Sequence, residues 1–173
     1  PFSVHVTSLG KMISYIKGDI IKDFQNGKID LLAHQCNCTV GHGAGFAKSL
    51  AKVYPQINVP VKESLLGSNL FIWLPDTQQY ICNMYAQVRP GSPDPDRTNF
   101  ESFTTRLLAL RKCLQEVELF SNKFRIGIPL VGAGLGADVR LKGHYHDLAY
   151  FEKYIAPVVD EVFTKTLINV YYL

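Results

Sequence analysis

Apolar stretches of strand length alternate along the chain with stretches in which apolar residues recur every third or fourth position. The first kind predicts β-strands at Ile13–Ile16, Ile29–Cys36, Leu70–Leu74, Tyr80–Tyr85, Arg125–Pro129 and Leu167–Tyr172. The second kind predicts helices at Ile20–Gln25, Gly45–Tyr54, Thr98–Phe120 and Ala156–Phe163. Strands that alternate with helices favour an α/β fold, a three-layer α-β-α sandwich around a mixed, mostly parallel sheet.

The pattern is that of one domain. A chain of 173 residues can bury a substantial core, and neither an internal repeat nor a low-complexity tract divides it. Residues 12–173 are predicted to form this domain. Residues 1–11 are either a remnant of cloning or an additional strand, since Phe2, Val4 and Val6 alternate as strand residues do.

Two glycine-rich segments each follow a predicted strand. The first, LLAHQCNCTVGHGAGFAKSLAKVY, passes from a strand through three glycines into a helix. The second, RIGIPLVGAGLGAD, has small residues at nearly every position from Gly132 to Gly136. It is not a Walker loop, because no Gly-Lys-Ser/Thr follows it. One such loop is as easily a plain connection as a ligand site. Two on the same rim of a parallel sheet favour a diphosphate cleft.

Two aspartates accompany these loops. Asp19 directly follows the first predicted strand of the domain, where it either caps the next helix or accepts a hydrogen bond from an amine such as adenine N6. Asp138 closes the second loop and is either a surface residue or a general base or nucleophile beside a phosphate cradle. His144 and His146 are more typical of solvated loop histidines than of catalytic groups.

Composition narrows the function classes. The net charge of +3 gives little support to a nucleic-acid footprint. No apolar run is long enough to span a membrane, and no leader segment is visible. The four cysteines fall mostly in apolar segments, which favours reduced thiols. We therefore expect a protein of the cytoplasm or the nucleus with no membrane partner.

A histidine and cysteine cluster in the first loop raises the question of a metal. His34, Cys36, Cys38 and His42 are residue types that bind zinc. Three ligands two positions apart on a straight strand span too far to surround one ion, and no loop is expected to gather them. The sequence therefore favours cysteines packed in the core and no metal. His34 is then either a buried, hydrogen-bonded histidine or a titratable group near the cleft.

The ordered set of motifs resembles the macrodomains, α/β modules that bind ADP-ribose. IKGDII resembles the family's opening strand and adenine-binding aspartate, AHQCNCTVGHGAGFAKSLAKVYP its first ligand loop, and IGIPLVGAGLGAD its phosphate loop. ICNMYAQ, RTNFESFTTRLLALRKCL, IAPVVDEVF and INVYYL resemble its central strand, following helix, last helix and closing strand. The resemblance extends over residues 12–173.

The resemblance implies a site for ADP-ribose or ADP-ribose-1″-phosphate. Asp19 would receive the adenine amino group beside the backbone of Ile20, and Tyr172 would wall the adenine. Asn37 would hold the distal ribose. The other implied contacts are Gly43, Ala44 and Gly45 along the distal ribose and diphosphate, and Val131, Gly132, Ala133, Gly134, Leu135 and Gly136 around the diphosphate.

HQCN before the first glycine loop is most similar to the branch with yeast-type ADP-ribose-1″-phosphate phosphatases and enzymes that remove terminal ADP-ribose from carboxylates or DNA bases. In that branch a histidine at the position of His34 is implicated in catalysis, together with an aspartate after the phosphate loop. Asp138 is the nearest match to that aspartate in this chain. A lysine used by some members is not evident, since Gln87 and Arg89 stand after the central strand.

The implied activity is hydrolysis of ADP-ribose-1″-phosphate to ADP-ribose and phosphate by a monomer that needs no cofactor. Two alternatives stay open. One is a mono-ADP-ribosyl hydrolase acting on modified protein carboxylates or nucleic acid. The other is a reader that binds ADP-ribose without catalysis.

Overall fold

The computed structural model describes residues 4–6, 12–93, 102–121 and 123–173. Its seven-stranded sheet has the order β1-β2-β7-β6-β3-β5-β4. The strands are β1 (Val4–Val6), β2 (Ile13–Lys17), β3 (Leu31–Asn37), β4 (Asn69–Leu74), β5 (Gln79–Gln87), β6 (Ile126–Ile128) and β7 (Ile168–Tyr172). All pairs from β2 to β5 are parallel, whereas β1 and β4 pair antiparallel at the two edges. The predicted mixed, mostly parallel sheet is confirmed.

Helices cover both faces of this sheet. Helices α1 (Ile20–Gln25) and α2 (Gly45–Val53) bury apolar residues in one core, and α3 (Phe103–Ser121) does so in the other. Strand β3 contributes side chains to both cores, because successive side chains point to opposite faces of a sheet. Leu31 and Ala33 pack with α3, and Leu32 packs with α1 and α2. The three-layer prediction is confirmed. Among the described residues, no helix is long and apolar enough to cross a membrane.

The first helices end and begin where local chemistry predicts. Asp19 caps α1 with its side chain, and α2 stops two residues before Pro55, whose ring cannot continue a helix. Helix α3 matches the predicted helix from Phe103 onward. Residues 98–101 of that prediction lie outside the described part of the chain.

The C-terminal helical segment begins earlier than predicted. Short helices α4 (Val139–Lys142) and α5 (Asp147–Tyr150) follow the second loop, and a π-helical turn at Phe151–Ile155 leads into α6 (Ala156–Val162). The prediction placed a helix start near Pro157, because proline is common in a first turn. The π-helical turn instead carries the helix into this proline.

Candidate functional site

A cleft of about 1270 Å³ opens at the carboxyl ends of the parallel strands. Its walls are the segments that follow β2, β3, β5 and β6, together with the end of β7. These ends lie at one edge of a parallel sheet, where ligands of α/β folds bind. The two predicted glycine loops therefore meet in one cleft.

Asn37 shapes the first loop. Its amide oxygen accepts from the backbone N–H groups of Thr39 (3.1 Å) and Val40 (2.9 Å), and its amide nitrogen donates to the carbonyl of Gly41 (2.8 Å). Gly41 and Gly45 have φ angles of +75° and +61°, which side chains disfavour. The N-cap of α2 is an alanine, which offers no side-chain acceptor. The first N–H groups of α2 are thus available to an anion in the cleft.

The second loop closely approaches the first. A β-carbon placed on Gly45 would lie 3.5 Å from Cδ1 of Leu135. Gly132 has a φ of +71°, and a β-carbon on Gly136 would lie 2.9 Å from the amide oxygen of Gln87, closer than side chains pack. Glycine is therefore favoured at both positions, where this backbone lines the cleft.

Asp19 both caps a helix and lines the cleft. Its Oδ1 accepts from the backbone N–H groups of Ile21 (3.0 Å) and Lys22 (3.2 Å). Oδ2 makes no hydrogen bond within the described residues, so capping leaves one carboxylate oxygen for a ligand. Asp19 can therefore cap the helix and accept a hydrogen bond from an amine at the same time.

The structure gathers nearly all predicted ligand contacts in this cleft. Its lining includes Asp19, Ile20, Asn37, Gly43, Ala44, Gly45, Val131, Gly132, Gly134, Leu135, Gly136 and Tyr172. Ala133 differs, because its side chain is fully buried in the core. Contact of each residue with a ligand stays a prediction.

The two predicted catalytic residues lie behind the wall of the cleft. Asp138 is 1% exposed and caps α4; its Oδ1 accepts from the N–H of Arg140 (3.0 Å), and its Oδ2 is 2.9 Å from Nη2 of Arg140. His34 is equally buried, with Nε2 2.7 Å from Oδ1 of Asn83. A catalytic role for either residue stays a prediction.

His34 belongs to a cluster with Cys36 and His42, in which one ligand atom from each residue lies within 4.8 Å of the others. Burial lowers the pKa of His34 to about 3, lowers the pKa of His42 and raises the pKa of the Cys36 thiol. All three groups are therefore uncharged at neutral pH. The glycine loop folds His42 onto the strand, so the expectation that no loop gathers these side chains is wrong. The expectation of buried cysteines is confirmed.

This chain resembles known proteins in sequence. No family model matches this chain. An uncharacterised 17.5 kDa protein of Enterobacteria phage T4 is 33% identical over 138 residues, which cover 72% of this chain and 81% of the phage protein. An ADP-ribose 1″-phosphate phosphatase of Saccharomyces cerevisiae is 31% identical over 114 residues, which cover 61% of this chain and 63% of the yeast protein.

Solved structures share the fold of this chain. The macrodomain of Mycobacterium tuberculosis DarG has a TM-score of 0.62 at 16% identity, over 95% of this chain and 99% of that one. This chain has the macrodomain fold. The macrodomain fold also matches Thermosipho africanus DarTG, solved in complex with ADP-ribose, with a TM-score of 0.56 at 13% identity over 92% of this chain and 41% of that one.

This macrodomain has an ion pair in its cleft that sequence reasoning missed. Nζ of Lys142 lies 2.5 Å from Oδ1 of Asp147 and also donates to the carbonyl of Ala133 in the second loop. Oδ2 of Asp147 lies 3.9 Å from the β-carbon position of Gly134. Both residues line the cleft. The available sequence signal was an acidic residue, Asp147, which is typical of the first turn of a helix. The apolar pattern alone predicts the helix further along the chain, at Ala156–Phe163.

A buried polar network braces the macrodomain's second loop. Gln35 donates to the amide oxygen of Gln87 (2.6 Å). Arg106, 5% exposed, donates to the carbonyls of Arg89 (3.0 Å), Gly91 (2.6 Å) and Gly136 (3.1 Å). An arginine on the apolar face of a predicted helix was the available sequence signal.

Proposed function

We propose that this macrodomain binds ADP-ribose and hydrolyses ADP-ribose-1″-phosphate to ADP-ribose and phosphate. The observation that carries the proposal is that two segments whose backbone N–H groups can bind anions face each other across one cleft. The N-terminus of α2 and the loop from Gly132 to Gly136 come within side-chain contact, as the 3.5 Å approach between the Gly45 β-carbon position and Leu135 demonstrates. A diphosphate places negative charge where both sites can bind it.

Asp19 supports a binding site for a nucleoside on one side of the diphosphate. The carboxylate lines the cleft and keeps Oδ2 available while Oδ1 caps α1. A carboxylate oxygen is a strong acceptor for an exocyclic amine such as adenine N6. Tyr172, at the end of β7, lines the same cleft and offers an aromatic ring to a base.

The comparisons support the same ligand class. The related DarTG structure contains ADP-ribose, and the yeast relative is named as an ADP-ribose 1″-phosphate phosphatase. We propose the same ligand and the same activity for this chain.

Hydrolysis of a phosphate monoester needs stabilised phosphoryl charge and a positioned water. Backbone N–H groups of the first loop would meet the first need. For the second, Asp138 and His34 stay proposed residues. Asp147 is a third candidate, because its carboxylate lies in the cleft beside Gly134 while that of Asp138 is held by Arg140.

A reader that binds ADP-ribose without hydrolysis is the second candidate function. It is favoured by the burial of His34 and Asp138, each 1% exposed. A turnover assay on ADP-ribose-1″-phosphate, ADP-ribosylated protein carboxylates and ADP-ribosylated DNA separates the candidates. We expect phosphate release from the first substrate to be fastest. Binding without turnover of any substrate would establish the reader.

Asp19→Asn tests the ligand orientation by calorimetric titration with ADP-ribose. Asparagine caps helices as well as aspartate does, so the melting temperature should stay within about 2 °C of wild type. Affinity should fall about tenfold or more, because an amide NH₂ would replace an acceptor that faces a donor.

The matched control is Asp76→Asn, an exposed residue in the turn between β4 and β5. It should bind like wild type. Undiminished affinity in Asp19→Asn would remove the adenine contact, and no binding by the wild-type chain would remove the whole proposal.

A further inference from the structure

We infer that His34, Cys36 and His42 form a binding site for a zinc-class divalent metal ion. In the described part of the chain, these side chains are brought together with ligand atoms within 4.8 Å of one another. Imidazole and thiolate are ligands that Zn²⁺ prefers. The site reverses the sequence-based expectation of no metal, and it does not depend on the ADP-ribose contacts proposed above.

Hydrogen bonds around His34 determine which ring nitrogen carries a lone pair. The amide nitrogen of Asn83 donates to the carbonyl of Ile57 (3.0 Å) and to the hydroxyl oxygen of Tyr85 (3.3 Å). The amide oxygen of Asn83 must then accept, and it lies 2.7 Å from Nε2 of His34. Nε2 therefore carries the proton. Nδ1 then carries the lone pair, and Sγ of Cys36 lies 3.7 Å from Nδ1 and 3.5 Å from Nε2.

His42 is arranged in the same way. Its Nε2 lies 3.0 Å from the carbonyl oxygen of Ile57, which can only accept, so Nε2 donates. Its Nδ1 is buried and finds no hydrogen-bond partner in the described residues. A buried acceptor without a partner is energetically costly and points to a missing ligand.

The surroundings of both rings are those of metal-binding histidines. Such histidines almost always donate their second ring N–H to a carbonyl or carboxylate oxygen, which orients the ring. His34 donates to an amide carbonyl and His42 to a backbone carbonyl. The carbonyl of Ile57 also accepts from Asn83, so one oxygen supports both rings.

The spacing approaches that of a tetrahedral centre. Zinc bonds of about 2.0–2.1 Å to nitrogen and about 2.3 Å to sulfur place these ligand atoms about 3.6 Å apart. Nδ1 of His34 and Sγ of Cys36 are already separated by 3.7 Å. His42 belongs to the glycine loop, which can close the remaining gap with a small movement next to Gly41 and Gly43.

The fourth coordination position would face the cleft, because Cys36 and His42 both line it. Three protein ligands with one open position are typical of zinc sites that bind a water or a ligand oxygen. The ion would also tie the first glycine loop to β3. Metal should therefore raise the melting temperature of the protein.

Cobalt titration of the chelator-treated full chain tests the site. We expect one Co²⁺ per chain, visible d–d bands of a four-coordinate centre and a near-ultraviolet thiolate-to-cobalt charge-transfer band, all displaced by Zn²⁺. Cys36→Ser should abolish the charge-transfer band. His42→Ala, which removes a half-buried loop ligand, should weaken Co²⁺ binding by more than the about 10–100-fold that loss of a partner outside the ligand shell costs.

Matched controls are Cys113→Ser, which replaces another buried thiol, and His144→Ala, which replaces an exposed loop histidine. Both should keep the wild-type cobalt spectrum. Thermal melts without metal establish that each variant is folded. A wild-type chain that binds no Co²⁺ or Zn²⁺, or an unchanged spectrum in both Cys36→Ser and His42→Ala, would overturn the inference. ADP-ribose titration of metal-free protein separates this result from the proposed function.

Discussion

Asp138 and Asp147 flank helix α4 and the turn after it, yet they meet different surroundings. Asp138 is buried and bound to Arg140 at 2.9 Å, where it caps the helix. The side chain of Asp147 is 59% exposed and lies in the cleft with Lys142. At the scale of single residues, the sequence gives the chemical type of each side chain. The direction in which the side chain points decides whether it can reach a substrate.

Asp147→Asn and Asp138→Asn separate a catalytic from a supporting carboxylate. If Asp147 is the catalytic carboxylate, Asp147→Asn should lower phosphate release about a hundredfold with little change in ADP-ribose affinity, because an amide replaces the oxygen proposed to position water. Asp138→Asn should instead lower the free energy of unfolding by about 1–3 kcal/mol, because the buried carboxylate loses its charge-assisted bond to the partly exposed Arg140 while the cap is kept. Steady-state kinetics and urea unfolding measure the two effects.

The opposite pattern would favour the assignment implied by the family resemblance. If Asp138→Asn abolishes release with unchanged stability and ADP-ribose affinity, Asp138 is the catalytic carboxylate. Asp147 would then be a surface partner of Lys142.

At the scale of elements, an ion pair joins the starts of two strands that are far apart in the chain. Asp30, just before β3, accepts from the Nη2 (2.8 Å) and Nε (2.9 Å) of Arg125, just before β6. The hydrogen bonds from Arg125 lower the pKa of Asp30. Both side chains are partly exposed, 31% and 58%, so the stabilisation is modest.

Asp30→Asn should lower the free energy of unfolding at pH 7 by at most about 1 kcal/mol. The folded-state pKa of Asp30 is below its unfolded value, so its contribution is fully present above the unfolded pKa of about 3.9 and is lost as the pH falls through the folded pKa. Urea unfolding at pH 7 and pH 3 should show the difference from wild type shrinking. An equal difference at both pH values would exclude the carboxylate charge as its cause, and Asp76→Asn serves as the exposed control.

At the scale of the whole molecule, Arg106 joins three segments. Its guanidinium extends from α3 to the carbonyls of Arg89 and Gly91 after β5, and to Gly136 in the second loop. The cleft thus depends on a helix that contributes little to its wall. Such long-range bracing can hold a glycine loop in a single conformation.

Arg106→Met should lower the free energy of unfolding by about 3 kcal/mol, because buried carbonyls lose charged donors. ADP-ribose affinity should also fall, because the second loop loses its brace. Calorimetry and urea unfolding check both effects. Arg111→Met, on the exposed side of the same helix and paired with Glu161, is the control and should change neither quantity by more than about 0.5 kcal/mol.

Sequence by itself determined the layers, the strand and helix identities and the two glycine loops. These follow from short-range causes: side-chain period, capping by Asp19, and helix termination before Pro55. Because parallel strands end at one edge, the same patterns also predicted that the loops share a cleft.

Tertiary structure alone decided which side chains face that cleft. It turned Asp138 toward Arg140, placed Asp147 beside the second loop and folded His42 onto His34 and Cys36. The physical reason is that loop conformation and buried hydrogen bonds arise from contacts between distant segments. Such contacts leave no periodic trace in the order of residues, so local patterns could not reveal them.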